Sequence, residues 1–364
     1  METSKKLLSL LRVTPGVDVH RVYSFLEGLT VHGKPLRLFR WPSLDYDVHW
    51  PMWFRRPVLQ VFNHAFMAAG IVRSGILERS VMLVREFDYR LFVVCALPLW
   101  PWRRRIVLNM NFAPPIPGES PASQLSAFRT LVRLGYTFML FEGDAVRREI
   151  EEGYPGIRLI CPRFVVQDTD PHRASPTPGE PFTVGFVGDF MRDKGGYATL
   201  IAAIRELVDL PGITVRIGIR DSRRRREFPD ELADRLDFTD TWSVGDYERF
   251  IRECDAIVTL AERNAYYRRH SAIILDCISA RTLVVCPRYP LFAEETGFPV
   301  AVGETYDGLG DLKRAVMAVR ESAPALRANH ATYFGARSGI DVARCIESGM
   351  PAVAPRLDQK VYEG

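Results

Sequence analysis

Two periods alternate along this chain. Apolar runs of strand length recur, and most are followed by stretches whose apolar residues fall at helical spacing. The clearest pair lies near the middle. Residues 182–187 form an apolar run that Gly188 interrupts, and after a charged turn Leu200, Ile201, Ile204 and Leu207 mark a helix. The same rhythm predicts further strands at 213–219, 238–242, 256–260 and 283–286, with helices at 247–253 and from about Ser271 to Ala280. In the first half, strands are expected at 5–13, 35–41, 90–100, 105–111, 136–141 and 157–161. Helices are expected at 18–29, 57–77, 123–134 and 144–152, with Asp18 and Asp144 as caps. Strands alternating with helices indicate parallel, doubly wound sheets.

Between the halves, residues 167–181 are polar, proline-rich and without periodicity, as a linker is. A chain of 364 residues is also long for one core. The expected organisation is a first domain over 1–166, a linker over 167–181 and a second domain over 182–335. A final segment over 336–364 is compatible with a return to the first domain.

Composition is that of an ordinary soluble protein, 47% hydrophobic and 25% charged. No apolar run reaches membrane-span length, and the first residues lack the core and cleavage site of a signal peptide. The six cysteines are scattered, as buried free thiols in a reducing cytoplasm would be. Charge is unevenly placed. Residues 1–165 hold 22 Lys and Arg against 14 Asp and Glu, and five of the six tryptophans. A basic, Trp-rich half suits an anionic membrane surface or an anionic acceptor, or is a basic skin over an aromatic core. The cluster Leu99-Trp100-Pro101-Trp102-Arg103-Arg104-Arg105 reads as an exposed loop at an interface, or as a plain basic turn. The run Arg223-Arg224-Arg225-Arg226 is interleaved with nearby acids and reads as solvated rather than as a nucleic-acid patch.

Chemistry concentrates at strand ends. The turn Gly188-Asp189-Phe190-Met191-Arg192-Asp193-Lys194-Gly195-Gly196 joins a strand to a helix N-terminus and carries two cations. That arrangement suits a nucleotide's phosphates, and it is also found in plain strand–helix turns. A second helix N-terminus at Ser271, preceded by Arg268, Arg269 and His270, would face the same cleft. Asp276 would then accept a ribose's hydroxyls. His49 and Asn111 fall at strand ends on the first-domain side. His49 is the candidate base, with Asp47 and Asp45 as rivals. A dinucleotide-binding Gly-x-Gly-x-x-Gly is missing, because Gly185 lies inside the strand and Gly195 comes too late.

Residues 185–290 resemble the donor-binding domain of GT-B glycosyltransferases of the group 1 class. Gly188 to Gly195 resembles that family's Gly-x(5)-Lys-Gly turn. Residues 246–256 resemble its helix ending before an Asp-headed strand, and 270–285 its donor helix. Within the class the chain looks closest to bacterial exopolysaccharide enzymes. The resemblance implies a GT-B fold, two Rossmann-like domains facing across a cleft. It implies transfer of a hexosyl residue from a UDP- or GDP-sugar to a saccharide or polyprenyl-linked acceptor in polysaccharide biosynthesis. Arg192 and Lys194 would hold the diphosphate, aided by the Ser271 and Ala272 backbone, and Asp276 the ribose. Neither metal nor cofactor is implied. The enzyme would be cytoplasmic and peripheral to the membrane's inner face. Two residues depart from the pattern. Asp189 stands where the family often has Arg, and Arg268 stands where the first acid of its Glu-x(7)-Glu motif falls. A GT-B protein that binds without transferring, or a dinucleotide-dependent oxidoreductase, would be the alternatives.

Overall fold

A computed structural model describes residues 30–31, 34–35, 82–84, 89–110, 114–116, 118, 120–164, 166, 168–171, 173, 180–188, 196–219, 222–338 and 342–349. The first described elements, β1 (Thr30–Val31) and β2 (Lys34–Pro35), form a small antiparallel ladder. Two parallel sheets follow.

The first sheet contains β3 (Met82–Val84), β4 (Ile106–Asn109), β5 (Thr137–Met139) and β6 (Arg158–Ile160), side by side in that order. Helices α1 (Tyr89–Leu99), α2 (Ala122–Arg133) and α3 (Asp144–Gly153) make the crossovers. Strands covered on both faces must be apolar throughout, and Ile106, Val107 and Leu108 are fully buried. Against them pack Phe92, Ala96 and Leu99 of α1 and Phe128 and Leu131 of α2. The Tyr136 hydroxyl donates to the Ala96 carbonyl at 2.6 Å and ties α1 to the start of β5.

One expectation fails here. Residues 90–100 are not a strand but helix α1, and the 3-10 turn Trp100–Arg105 follows directly. The cause lies in the pattern. A continuous apolar run does not reveal its period. Phe92, Ala96 and Leu99 define a buried helical stripe, yet the outward Val94 and Leu97 are apolar too. A smaller difference is that Asp144 occupies the first turn of α3, and Gly143 takes the N-cap position without a side-chain cap.

The second sheet has six strands. They are β7 (Phe182–Val187), β8 (Ile213–Ile219), β9 (Asp237–Asp240), β10 (Ala256–Val258), β11 (Leu283–Pro287) and β12 (Gly303–Tyr306). The helices are α4 (Gly196–Leu207), α5 (Asp230–Ala233), α6 (Val244–Glu253), α7 (Arg263–Tyr266), α8 (Ala272–Ser279), α9 (Pro290–Gly297), α10 (Leu309–Ser338) and α11 (Val342–Gly349). The spatial order is β12-β11-β10-β7-β8-β9, all parallel. The chain winds outward from β7 to β9, then returns to the other side of β7 with β10. β7 and β10 therefore flank a topological switch point, the place where such sheets open for a ligand.

Both faces of this sheet are packed. Leu200, Ile204 and Leu207 of α4 and Val316 and Val319 of α10 cover one face. Phe250 and Ile251 of α6 and Ile274, Cys277 and Ile278 of α8 cover the other. Gly185 lies inside β7 because a Cβ there would sit 2.6 Å from Cys254 Sγ and 2.7 Å from Ile257 Cδ1. Burial pushes the Cys254 thiol up to about 12, which keeps it a packing group.

The described part of 167–181 is fastened down. Asp168 pairs with Arg281 at 2.6 Å, and the Thr169 hydroxyl donates to the Ser279 carbonyl at 2.9 Å. Arg173 reaches the Cys254 and Ala280 carbonyls and the Thr282 hydroxyl. Past α10, helix α11 lies beside β6 and β1 of the first half.

Candidate functional site

At the switch point the carboxyl ends of β7 and β10 part and leave a small cleft. Val187, Gly188, Thr259, Ala261, Tyr266, Ser271 and Ile273 are among its lining residues. Gly188 has φ +133°, a conformation that favours glycine, and a Cβ there would stand 3.7 Å from Ile273 Cδ1. Gly188 and the start of α8 are therefore neighbours. Ser271 takes the N-cap position of α8 in extended conformation, and its side chain makes no capping bond to the helix. The first N–H groups of α8 point out of its end. The Thr259 hydroxyl is buried in the same lining without a hydrogen-bond partner among the described residues. An anion at this spot would meet backbone donors, the positive end of a helix dipole and a hydroxyl.

Asp276 lies about one turn along α8. Its Oδ2 accepts the Tyr247 hydroxyl from α6 at 3.0 Å. The three residues before Ser271 are each engaged. Arg269 lies over the Tyr266 ring at 4.9 Å, and His270 meets Phe164 edge-on at 4.7 Å. Arg268, only 6% exposed, bonds Glu149 of α3, so its guanidinium is directed at the first sheet. The residue in the place of the family's first acid is thus a cation that joins the two halves.

A second cluster lies where the halves meet, and sequence reasoning missed it. β5 runs into Glu142, whose φ is +53° and whose side chain is fully buried. Glu142 bonds Arg337, near the end of α10 and also fully buried, and it accepts the Phe164 N–H at 2.7 Å. Arg163 lies 3.6 Å from Glu142 and 2.5 Å from Glu294. Burial raises the Glu142 carboxyl above the usual range, and Arg337 and the Phe164 N–H pull it back. Glu295 of α9 is also fully buried. Burial first, and Glu142 second, push its carboxyl well up. The Ser271 N–H approaches this carboxyl, short of a well-formed hydrogen bond. The available signal was Glu142 itself, an acid at the carboxyl end of a parallel strand.

Gly188 and Ser271 line one cleft, Ala272 follows at the start of α8, Asp276 lies further along the helix against Tyr247, and Arg268 is turned away to Glu149. His49, Asp47, Asp45, Asn111, Arg192 and Lys194 lie outside the described residues. Arg224, Arg225 and Arg226 fall in the 3-10 turn Ser222–Glu227, with Arg225 and Arg226 exposed. Among the described residues, no group of three or more His, Cys, Asp and Glu side chains is arranged to hold a metal ion.

No protein-family model and no curated protein matches the sequence. Solved structures do match. The pneumococcal O-GlcNAc transferase GtfA, in complex with UDP and GlcNAc, aligns at 12% identity with TM-score 0.51. The match covers 78% of this chain and 58% of GtfA. HepE of Anabaena, in complex with UDP, aligns at 14% identity with TM-score 0.55 over 87% of this chain and 85% of its own. The UDP-forming α,α-trehalose-phosphate synthase of Burkholderia vietnamiensis aligns at 11% identity with TM-score 0.52 over 83% and 79%. At these identities the likeness is one of fold.

Proposed function

Taking as premise the GT-B fold that these likenesses show, we propose that the chain is a glycosyltransferase moving a hexosyl residue from a nucleotide-diphosphate sugar, UDP- or GDP-linked, to a saccharide acceptor. The observation that carries this reading is the switch-point cleft, where Gly188 meets the N-terminus of α8. Departure of the anomeric oxygen builds charge on a diphosphate, and fixed donors stabilise that charge without reorganising. In this reading Gly188, the Ser271 hydroxyl and the Ala272 N–H group hold the diphosphate together with Arg192 and Lys194. Asp276 holds the ribose. His49 or Asp47 would take the acceptor's proton, with Asn111 on the acceptor side. UDP in the HepE and GtfA structures supports a nucleotide-linked donor. A lipid-linked acceptor in polysaccharide synthesis, met at the inner face of a membrane, completes the proposal.

Arg268 favours a second reading, a GT-B protein that binds nucleotide without transferring sugar, because it places a seam cation where the family's acid would face the donor. Calorimetric titration with UDP and GDP, followed by turnover with a panel of nucleotide sugars, separates the two. Asp276→Ala and Lys194→Ala should each weaken nucleotide binding by about 1–3 kcal/mol, the scale of a lost charged hydrogen bond. If both variants bind UDP and GDP like the native chain, the site is wrong. If binding is intact and every donor–acceptor pair is inert, the second reading holds.

A further inference from the structure

Helix α1 departs from what the outside of a parallel sheet requires. Its inner stripe is buried against α2 and the sheet. Its outer stripe should be polar. Instead Val94 is 73% exposed and Leu97 68% exposed, and Trp100 directly after the helix is 45% exposed. Pro98 and Pro101 continue this surface. Single exposed apolar residues are ordinary, but a ridge of large ones ending in a tryptophan marks a contact surface.

The described chain along and just after the ridge carries cations alone. Between Tyr89 and Arg105 the chain has four arginines, Arg90, Arg103, Arg104 and Arg105, and no acidic residue. The Arg103 guanidinium lies over the Trp100 ring, 3.8 Å from its centroid, and donates to the Trp100 carbonyl at 3.0 Å. The indole is therefore held in a set orientation at the surface. Arg158, from the start of β6, comes up beside Arg103, and the two guanidinium groups border Gly135 at 3.8 and 3.9 Å from its Cβ direction. Arg104 and Arg158 are exposed.

We propose that this face docks the protein on an anionic lipid bilayer. Val94, Leu97 and Trp100 enter the boundary between headgroups and acyl chains, and Arg103, Arg104 and Arg158 meet lipid phosphates. The charge pattern selects this occupant. An apolar ridge with charges of one sign beside it fits a surface that is apolar within and uniformly negative at its edge, with tryptophan at the level where indoles settle. Among the described residues no helix is long and apolar enough to cross a membrane, so the contact is with the surface. The topology gives the docking a purpose. A crossover helix starts at the carboxyl edge of its sheet, which is the ligand edge of such sheets. With α1 laid along the bilayer, its Tyr89 end brings that edge to the lipid, where a lipid-linked acceptor would enter. Only this purpose rests on the glycosyltransferase reading.

The test is flotation of the full chain with vesicles of phosphatidylcholine alone or with about 30 mol % phosphatidylglycerol. The native chain should bind the anionic vesicles and lose most of that binding on going from about 0.1 to about 0.5 M salt. The pair Val94→Gln with Leu97→Gln, and separately Arg103→Glu with Arg104→Glu, should each lower partitioning about tenfold or more. UDP titration of the same variants should be unchanged. As a readout that needs no destabilising change, brominated lipids should quench the native chain's fluorescence, and Trp100→Phe should remove most of the quenching. The proposal is overturned if the native chain ignores anionic vesicles or binds neutral ones equally. It is also overturned if the α1 variants alter self-association but not vesicle binding, which would make the ridge a contact with a second copy. Vesicle binding without any nucleotide binding would sink the glycosyltransferase reading and leave the docking surface standing.

Discussion

The two parallel sheets are wound from the same repeating unit and finished in opposite ways. The carboxyl edge of the second sheet is built from backbone and small groups: Gly188, the start of α8 and the Thr259 hydroxyl. It is supported from below by cores on both faces, built mainly from its own helices, with Val166 from before the linker joining one of them. The carboxyl edge of the first sheet runs into a buried charge, Glu142, and its partner Arg337 comes from α10. Its core also borrows Leu291 from α9. Each core therefore takes in a side chain from the other half, Leu291 in the first and Val166 in the second, but the buried Glu142–Arg337 pair closes the edge of the first sheet. The candidate ligand site lies in the second unit, and the buried ions lie along the joint.

The largest effect should come from breaking that joint. Arg337→Leu removes the cation bonded to buried Glu142 and leaves only the more distant Arg163, 3.6 Å away, a change on the order of 3 kcal/mol in stability by urea unfolding. The pH dependence has a definite sign. The folded-state pKa of Glu142 is already raised by burial, against the pull of Arg337. Without Arg337 it rises further, so the folded chain binds this proton more tightly than the unfolded chain. The loss should be greatest near neutral pH and should shrink as pH falls toward the ordinary carboxylate range, about pH 4. A loss below about 1 kcal/mol, or one that grows on acidification, would show that the first sheet does not depend on the second in this way.

The converse change strikes the second unit from inside. Gly185→Ala puts a methyl group against Cys254 Sγ and Ile257 Cδ1, an overpacking cost of about 1–3 kcal/mol. Because both obstacles belong to the same unit, Cys254→Ala in the same chain should recover part of the loss and leave the joint untouched. Additive costs in the double variant would place the strain elsewhere.

How far each region was legible in the sequence follows the same division. The second unit declares itself locally. β7 and β8 are long uninterrupted strands, Gly188 sits at a turn, and Ser271 precedes a helix with its apolar face inward. Each of these signals lies within a few residues of the feature it marks. The joint is built from partners far apart in the chain, Glu142 with Arg337 at a separation of 195 residues and Glu149 with Arg268 at 119. No window of sequence contains both members of either pair. Neither Glu142 nor Arg337 has a local signal that marks its partner, and Arg268 reads in sequence as a cation at the cleft. Helix α1 failed for a different reason. Its outer face carries apolar residues where a solvated helix has polar ones, so the period that would identify it is erased. The feature that defeated the assignment is the one that marks the surface as a contact. For His49, Asp47, Asn111, Arg192 and Lys194, the comparison with structure stops at the edge of the described residues.

The smallest change examines the candidate site without disturbing either core. Tyr247 on α6 donates its hydroxyl to Asp276 on α8 at 3.0 Å. Tyr247→Phe removes one donor from a carboxylate and should cost about 1 kcal/mol or less in stability. Its value is in coupling. If Asp276 accepts a ribose, Tyr247 helps hold that carboxylate in place, and its loss should weaken UDP severalfold. In an Asp276→Ala background the same Tyr247→Phe should change UDP affinity little, because the group it orients is already gone. A double-mutant cycle by calorimetry reads this as an interaction energy of about 0.5–1 kcal/mol. Strictly additive effects on UDP affinity would mean that the tyrosine does not act on nucleotide through Asp276. The α6–α8 contact would then be packing, and the ribose would have to be held by a residue on another wall of the cleft.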